Sequence, residues 1–72
     1  MEVLMKTSIR NHLSGKIVKI IKGTAASEIE VETAAGIISS VITTRSLEDL
    51  ALKVGDLVHA SIKSTEVGIE KP

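Results

Sequence analysis

Three short segments of the chain concentrate the hydroxyl, amide and cationic side chains that hold small oxyanions. One is Ser8-Ile9-Arg10-Asn11 near the start, and another is Ile62-Lys63-Ser64 near the end. The third, Ile42-Thr43-Thr44-Arg45-Ser46, supplies more hydroxyls just ahead of an apolar turn. A tetrahedral oxyanion accepts hydrogen bonds in all directions, so a good site combines many donors with positive charge. The three segments predict an anion-binding site if folding makes them converge.

Arg10 and Lys63 carry the positive charge that such a site needs. An arginine offers a rigid fork of donors to two oxygens, a lysine is a point charge, and hydroxyls with backbone N–H groups complete the cage. We expect a free backbone N–H at a helix start at Ser46 to add the positive end of a dipole. This chemistry recognises the oxygens of the anion. If the central atom of the anion is a metal, no protein atom coordinates that metal directly. Without further support, exposed cations of this kind are more often solvated or ion-paired.

Length and composition indicate a single domain over residues 1–72 that needs reinforcement. A core of this size contributes only about 3–5 kcal/mol of net stability. The chain has no Cys and no aromatic residue, so disulfides and large core side chains are both excluded. His12 and His59 alone do not make a structural zinc site, and we expect both to be surface residues. These facts predict that several copies of the chain share a core.

The charge balance and the motifs exclude several classes of function. Nine basic and nine acidic residues are interspersed, with a pI of about 6.7, which does not favour nucleic acid as a partner. The sequence shows no nucleophile with a base, no paired carboxylates, no metal cluster and no phosphate loop, so we expect neither an enzyme nor a catalytic cofactor. There is no apolar run long enough for a membrane span and no signal peptide, which predicts a cytoplasmic protein without a membrane partner.

Hydrophobic patterning predicts three strands in the first part of the chain. Residues 27–33 alternate, with Ile29 and Val31 on the core face and three glutamates on a solvated face. Residues 16–22 have apolar spacing that also fits a helix, but β-branched side chains and flanking glycines favour a strand. Gly36 opens a third run, residues 37–43, whose apolar pairs suggest burial on both faces or a bulge.

The second part of the chain predicts a helix and two more strands. Ser46 has the character of an N-cap for a short helix over residues 46–50. A turn at residues 53–56 leads into an alternating strand over residues 57–63, and Val67 with Ile69 fits a short fifth strand. This order predicts an all-β fold, a small OB-like five-stranded barrel with one short helix. OB-type nucleic-acid binders stack bases on aromatic side chains, which this chain lacks.

Taken together, the ordered motifs resemble the molbindins, stand-alone Mop-type molybdate-binding domains related to the TOBE domains of molybdate transporters and regulators. The resemblance spans Thr7 to about Ile69, and it leaves Met1 to Lys6 as an extension. The segments that carry it are Ser8-Ile9-Arg10-Asn11, Leu13-Ser14-Gly15-Lys16-Ile17, Lys22-Gly23-Thr24, Ile42-Thr43-Thr44-Arg45-Ser46, Leu50 to Gly55, and Ile62-Lys63-Ser64-Thr65-Glu66-Val67.

The resemblance implies a barrel that exchanges strands between subunits, a homo-hexamer built as a trimer of dimers, and molybdate or tungstate bound at subunit interfaces for intracellular storage or homeostasis. By motif position, the implied ligands are Ser8, Arg10, Asn11, Thr43, Thr44, Ser46, Lys63 and Ser64. Ile9 replaces a small residue common in the family, and Thr44-Arg45 varies the hydroxyl segment. Asn11 is also suited to fixing the backbone of the turn into the first strand. A regulatory or interaction module of a transporter or regulator is the alternative function.

Overall fold

The computed structural model describes residues 6–72, so the extension up to Met5 lies outside the described residues. These residues form one curved antiparallel sheet in the order β3-β2-β1-β4, with one short α-helix. The elements in chain order are β1 (Asn11–Lys22), β2 (Ala26–Thr33), β3 (Gly36–Thr43), α1 (Thr44–Asp49) and β4 (Leu57–Ile62). The predicted all-β class with one short helix is confirmed.

The long strand β1 organises the sheet because it pairs with different neighbours along its length. Its first half pairs with β4 and its second half with β2, and only Gly15 and Lys16 pair with both. A bulge between Ile17 and Lys19 interrupts the register with β2. Bulges bend a strand and increase its twist. The sheet therefore curls into a half-barrel with a concave inner face.

Gly15 lies where β1 pairs with both β2 and β4. A Cβ atom at this position would lie 2.4 Å from the Glu32 carbonyl oxygen and 2.7 Å from Val31 Cγ1. Both distances are shorter than real Cβ contacts, and one of the opposing atoms is backbone. A glycine is required here for close strand approach.

The inner face of the sheet forms a small aliphatic core. Ile17, Ile29, Val31 and Leu47 are buried, and further apolar side chains pack against them from β3, β4 and the turn after α1. The predicted core face of β2 is confirmed. On its outer face Glu32 is exposed, as predicted, whereas Glu28 and Glu30 are half-buried.

The helix starts two residues earlier than predicted. Thr43, in an extended conformation, is the N-cap, and its hydroxyl oxygen accepts the Ser46 N–H at 3.1 Å. The prediction of Ser46 as N-cap is therefore wrong, and its N–H is not free. The hydroxyl oxygen of an N-cap residue accepts a hydrogen bond from the N–H two or three residues ahead, so Thr43 at the cap position accepts from the Ser46 N–H.

The end of α1 is closed by two backbone hydrogen bonds. Ala51 N–H donates to the Glu48 carbonyl and Leu52 N–H donates to the Leu47 carbonyl. This Schellman pattern places Ala51 in the left-handed region, at φ 50°, a position usually occupied by glycine. The bonds return the chain toward the sheet, where half-buried Leu52 packs against the core.

The fifth strand is not found among the described residues, which hold four. Ser64–Glu66 forms a 3-10 turn, and neither Val67 nor Ile69 belongs to a strand. An alternating pattern forms a strand only where a partner offers backbone groups, and no neighbour in the described part of the chain pairs with this segment. Ile69 is 90% exposed.

The edge strand β3 also differs from its prediction. Ile38 and Ile42 face the core and are half-buried, but Ile37 and Val41 on the other face are 52% and 71% exposed. Burial on both faces is thus absent in the single chain, and the sheet's bulge lies in β1 instead of β3.

Candidate functional site

Two of the three polar segments meet at one end of the sheet. Asn11, the first residue of β1, pairs in register with Ile62, the last residue of β4. The Asn11 side-chain amide donates to the Ile62 carbonyl oxygen at 3.1 Å. Arg10 directly precedes this pair and Lys63 directly follows it. We call Ser8, Arg10, Asn11, Lys63 and Ser64 the cationic end.

The backbone beside Arg10 is held by side chains. Ile9 N–H donates to the Thr7 hydroxyl oxygen at 3.1 Å, and the Ile9 carbonyl accepts from His12 Nε2 at 2.8 Å. Arg10 itself is exposed at this end of the sheet. His12 is a residue that sequence reasoning left on the surface without a role. A contact between a side chain and the carbonyl three residues back has no sequence pattern that would reveal it.

Thr43 and Ser46, which we call the hydroxyl end, form a hydrogen-bonded pair of hydroxyls at the start of α1. The Thr43 hydroxyl donates to Ser46 Oγ at 2.8 Å while accepting the Ser46 N–H. Because Ser46 Oγ accepts this bond, its own proton remains a donor that a ligand can use. Thr43 is exposed and Ser46 is half-buried.

Thr44 has a different place, in a ring of hydrogen bonds with buried Ser27 and the Gly23 backbone. Its hydroxyl donates to the Gly23 carbonyl at 2.8 Å and lies 2.8 Å from Ser27 Oγ, which in turn accepts from Gly23 N–H at 3.4 Å. The Thr44 N–H donates to the Ala25 carbonyl. Thr44 is 5% exposed, with its hydroxyl and its N–H both engaged inside the chain. It fixes the hydroxyl end to the turn between β1 and β2.

The cationic end and the hydroxyl end lie at opposite ends of the sheet. Asn11 begins β1 and Lys22 ends it, and through β2 the Lys22 end is next to Thr43. At about 3.3 Å per residue, a strand of this length separates its ends by up to roughly 36 Å. The longest dimension of the molecule is 36 Å. By this strand order, the third segment does not lie beside the other two within one chain.

The concave face carries an open groove of about 470 Å³. Its walls are mostly aliphatic, with Ile29 from β2, Ile38 from β3 and Val58 from β4 among the lining residues. Burying a dianion against such walls would be strongly unfavourable. The polar ends of the sheet, and not the groove, are therefore the candidate anion sites.

Residues 6–72 carry neither a cluster of metal-ligand side chains nor a membrane-spanning helix. No group of three or more His, Cys, Asp or Glu side chains in that range is arranged to hold a metal ion. Within the same range, the structure contains no helix of the length and apolarity needed to cross a membrane.

Comparison with known proteins gives consistent matches. The TOBE domain model matches residues 7–69. Molybdenum-pterin-binding protein 3 from Clostridium pasteurianum is 44% identical over 66 residues, covering 90% of this chain and 97% of that protein. A molybdate-binding protein from Sporomusa ovata superposes with a TM-score of 0.89 at 37% identity, covering 93% of this chain and all of that one.

A third protein is similar over part of its length. The cytoplasmic molybdate-binding protein ModG, in a crystal form with molybdate bound, has a TM-score of 0.78 and 31% identity to this chain. The match covers 83% of this chain and 43% of ModG. These findings confirm the resemblance that the ordered motifs indicated. The chain therefore belongs to the TOBE domain family, and within it to the molbindins.

Proposed function

We propose that this protein binds molybdate or tungstate at sites formed between copies of the chain. The observation that carries this proposal is the separation of the cationic end from the hydroxyl end within one chain. The names of the relatives, a molybdenum-pterin-binding protein and molybdate-binding proteins, support the choice of anion.

Charge and donor count support a shared site. Arg10 and Lys63 together match the two negative charges of the anion, while Ser8, Asn11 and Ser64 bring additional polar groups. A tetrahedral anion has four oxygens to satisfy, and neutral hydroxyl donors complete the cage. The Ser46 hydroxyl offers such a donor, because it accepts from Thr43 and keeps its own proton, but only a second copy can bring it to the cationic end. In this arrangement Thr44 supports the fold and does not contact the anion.

The uncovered apolar surface supports association. Ile37 and Val41 are exposed on the edge strand β3, and Leu57 on the opposite edge strand β4 is 84% exposed. The groove remains open in a single chain. A half-barrel with two free edges and no aromatic core gains stability when another copy covers it. We take the assembly to be a hexamer, a trimer of dimers with exchanged strands, as the molbindin resemblance implies.

We place this activity in the cytoplasm, as intracellular storage or homeostasis of the anion. The similar protein ModG is described as cytoplasmic. Sites between copies couple loading to assembly, because a ligand that binds only the assembled form stabilises it by mass action. Relatives matched over nearly their whole length carry the names of binding proteins, which favours this role over a regulatory module and over an enzyme.

Isothermal titration calorimetry with molybdate, tungstate and sulfate tests the proposal, with the particle mass measured by light scattering on the same sample. We expect heat from molybdate and tungstate, little from sulfate, and a mass of several chains. The absence of heat with all three anions would overturn the proposed function. Binding by a particle with the mass of one chain would overturn the shared site.

A further inference from the structure

We propose that His12 is a positioning residue for Arg10: it fixes the segment that carries this cation before the anion arrives. The inference rests on the proposed function, because it concerns the same site. His12 does not need to touch the anion. It acts through the backbone of Ile9, which lies between Ser8 and Arg10.

The hydrogen-bond partner of the His12 imidazole determines which ring nitrogen carries a proton. A carbonyl oxygen can only accept, so the 2.8 Å contact between His12 Nε2 and the Ile9 oxygen requires the proton to be on Nε2. The other backbone group of Ile9 is bonded to the Thr7 hydroxyl at 3.1 Å. Both polar backbone groups of Ile9 are therefore held by side chains, one from each direction along the chain.

The two partners of Ile9 differ in how firmly they are anchored. His12 lies within β1 and is paired in register with Ser61 of β4, whereas Thr7 lies before the first strand. Residues 7–10 belong to no strand or helix, so no ladder of backbone hydrogen bonds holds them. The imidazole of His12 thus adds a side-chain hydrogen bond from the sheet to this segment, beside the peptide bond that joins Arg10 to Asn11 of β1.

Fixing Arg10 before binding favours affinity. A long cationic side chain on a mobile segment loses backbone and side-chain freedom when it binds, and this loss opposes association. A segment that is already fixed loses less. One hydrogen bond of this kind predicts an effect on affinity of roughly three- to ten-fold.

His59 provides a matched control on the same face of the sheet. It is exposed like His12, and its Nδ1 lies 3.0 Å from Ser14 Oγ, a partner inside the β1–β4 ladder. Removing His59 deletes an imidazole from the same surface without touching the Ile9 carbonyl. Any general effect of losing a histidine there would appear in both variants.

The experiment compares the parent protein, His12→Ala, His12→Gln and His59→Ala by two measurements. Heteronuclear NOE values of the backbone amides of residues 8–10, without ligand, report the order of the segment. Titration with molybdate reports affinity. We expect lower NOE values and roughly three- to ten-fold weaker binding in His12→Ala only. The glutamine amide can donate to the same carbonyl, so His12→Gln should restore both.

Three results would overturn the inference: unchanged NOE values in His12→Ala, unchanged affinity in a His12→Ala protein that has lost order, or a His12→Gln variant as poor as the alanine variant. If the parent itself binds no molybdate, the proposed function fails. The NOE comparison then still decides whether His12 orders the segment. The two failures are therefore distinguishable.

Discussion

The hydroxyls of Ser27 and Thr44, 17 residues apart, are joined by a buried hydrogen bond of 2.8 Å. Because the Thr44 hydroxyl donates to the Gly23 carbonyl, Ser27 must donate to Thr44 while accepting from the Gly23 N–H. The three residues form a closed ring in which every donor has an acceptor. Ser27 is 2% exposed and Thr44 5%, so the hydrogen bond between their hydroxyls is shielded from water.

Breaking this ring should destabilise the protein. Ser27→Ala removes the buried donor to the Thr44 hydroxyl oxygen, and Thr44→Val leaves the buried Ser27 hydroxyl without its acceptor. We expect each to lower the free energy of unfolding by about 1–3 kcal/mol. The double variant should cost less than the sum, since both remove the same bond. Urea unfolding at one fixed protein concentration measures this, with exposed Thr24→Ala as a control, and strictly additive losses would argue against the ring.

Removing either cation should weaken binding without unfolding the protein. Arg10→Ala or Lys63→Ala deletes one of the two positive charges that balance the charge of the dianion. Both residues are exposed, so neither substitution disturbs the core. We expect molybdate affinity to fall by more than about ten-fold, in line with the loss of a charged hydrogen bond. Calorimetry on each variant checks this, with exposed Lys53→Ala as the matched loss of charge. Parent-like binding by both variants would refute the site assignment.

A mixing experiment tests whether the site is shared between copies. One variant combines Arg10→Ala with Lys63→Ala, and the other combines Thr43→Ala with Ser46→Ala. Each alone should bind molybdate poorly. Unfolded together and refolded as mixed assemblies, they should regain part of the parent's sites, because some interfaces then join an intact cationic end to an intact hydroxyl end. If mixing restores nothing although the two variants are shown to co-assemble, the anion is not held between these two ends.

Gly15 should tolerate no side chain. In Gly15→Ala the new methyl group would overlap the Glu32 carbonyl oxygen and Val31 Cγ1, and a backbone atom cannot move aside without disturbing β2. We expect a loss of at least about 2 kcal/mol, at the upper end of the usual range for overpacking. Gly68→Ala, where an added Cβ meets nothing within 4 Å, is the control. Equal thermal midpoints for the two variants would contradict the close approach of β1 and β2.

The sequence predicted β2 well because strict alternation of apolar and polar residues fits a strand and does not fit a helix. For β1 the apolar spacing fitted both a strand and a helix, and the bulge is the reason. Ile17 and Ile20 both face the core, three residues apart, since the bulge adds one residue between them. A bulged strand thus imitates the spacing of a helix over one turn. The choice between them depended on the β-branched side chains and the flanking glycines.

The elements that were missed depend on contacts outside their own segment. Thr43 and Ser46 are both good caps by type, and the position of Thr43 at the end of β3 decides between them. Val67 and Ile69 alternate like a strand but pair with no strand in the described part of the chain. The segments of the candidate site were recognisable from residue types. Their separation into two ends follows from the order of strands in the sheet, which local patterns do not contain.

The length of β1 also bears on how neighbouring anions affect one another. Two dianions bound at opposite ends of one chain would be separated by up to roughly 36 Å. The Debye length at physiological ionic strength is about 8 Å, so the repulsion between them would be almost completely screened. Filling one end therefore would not disfavour filling the other, and a single small chain can take part in two highly charged sites at once.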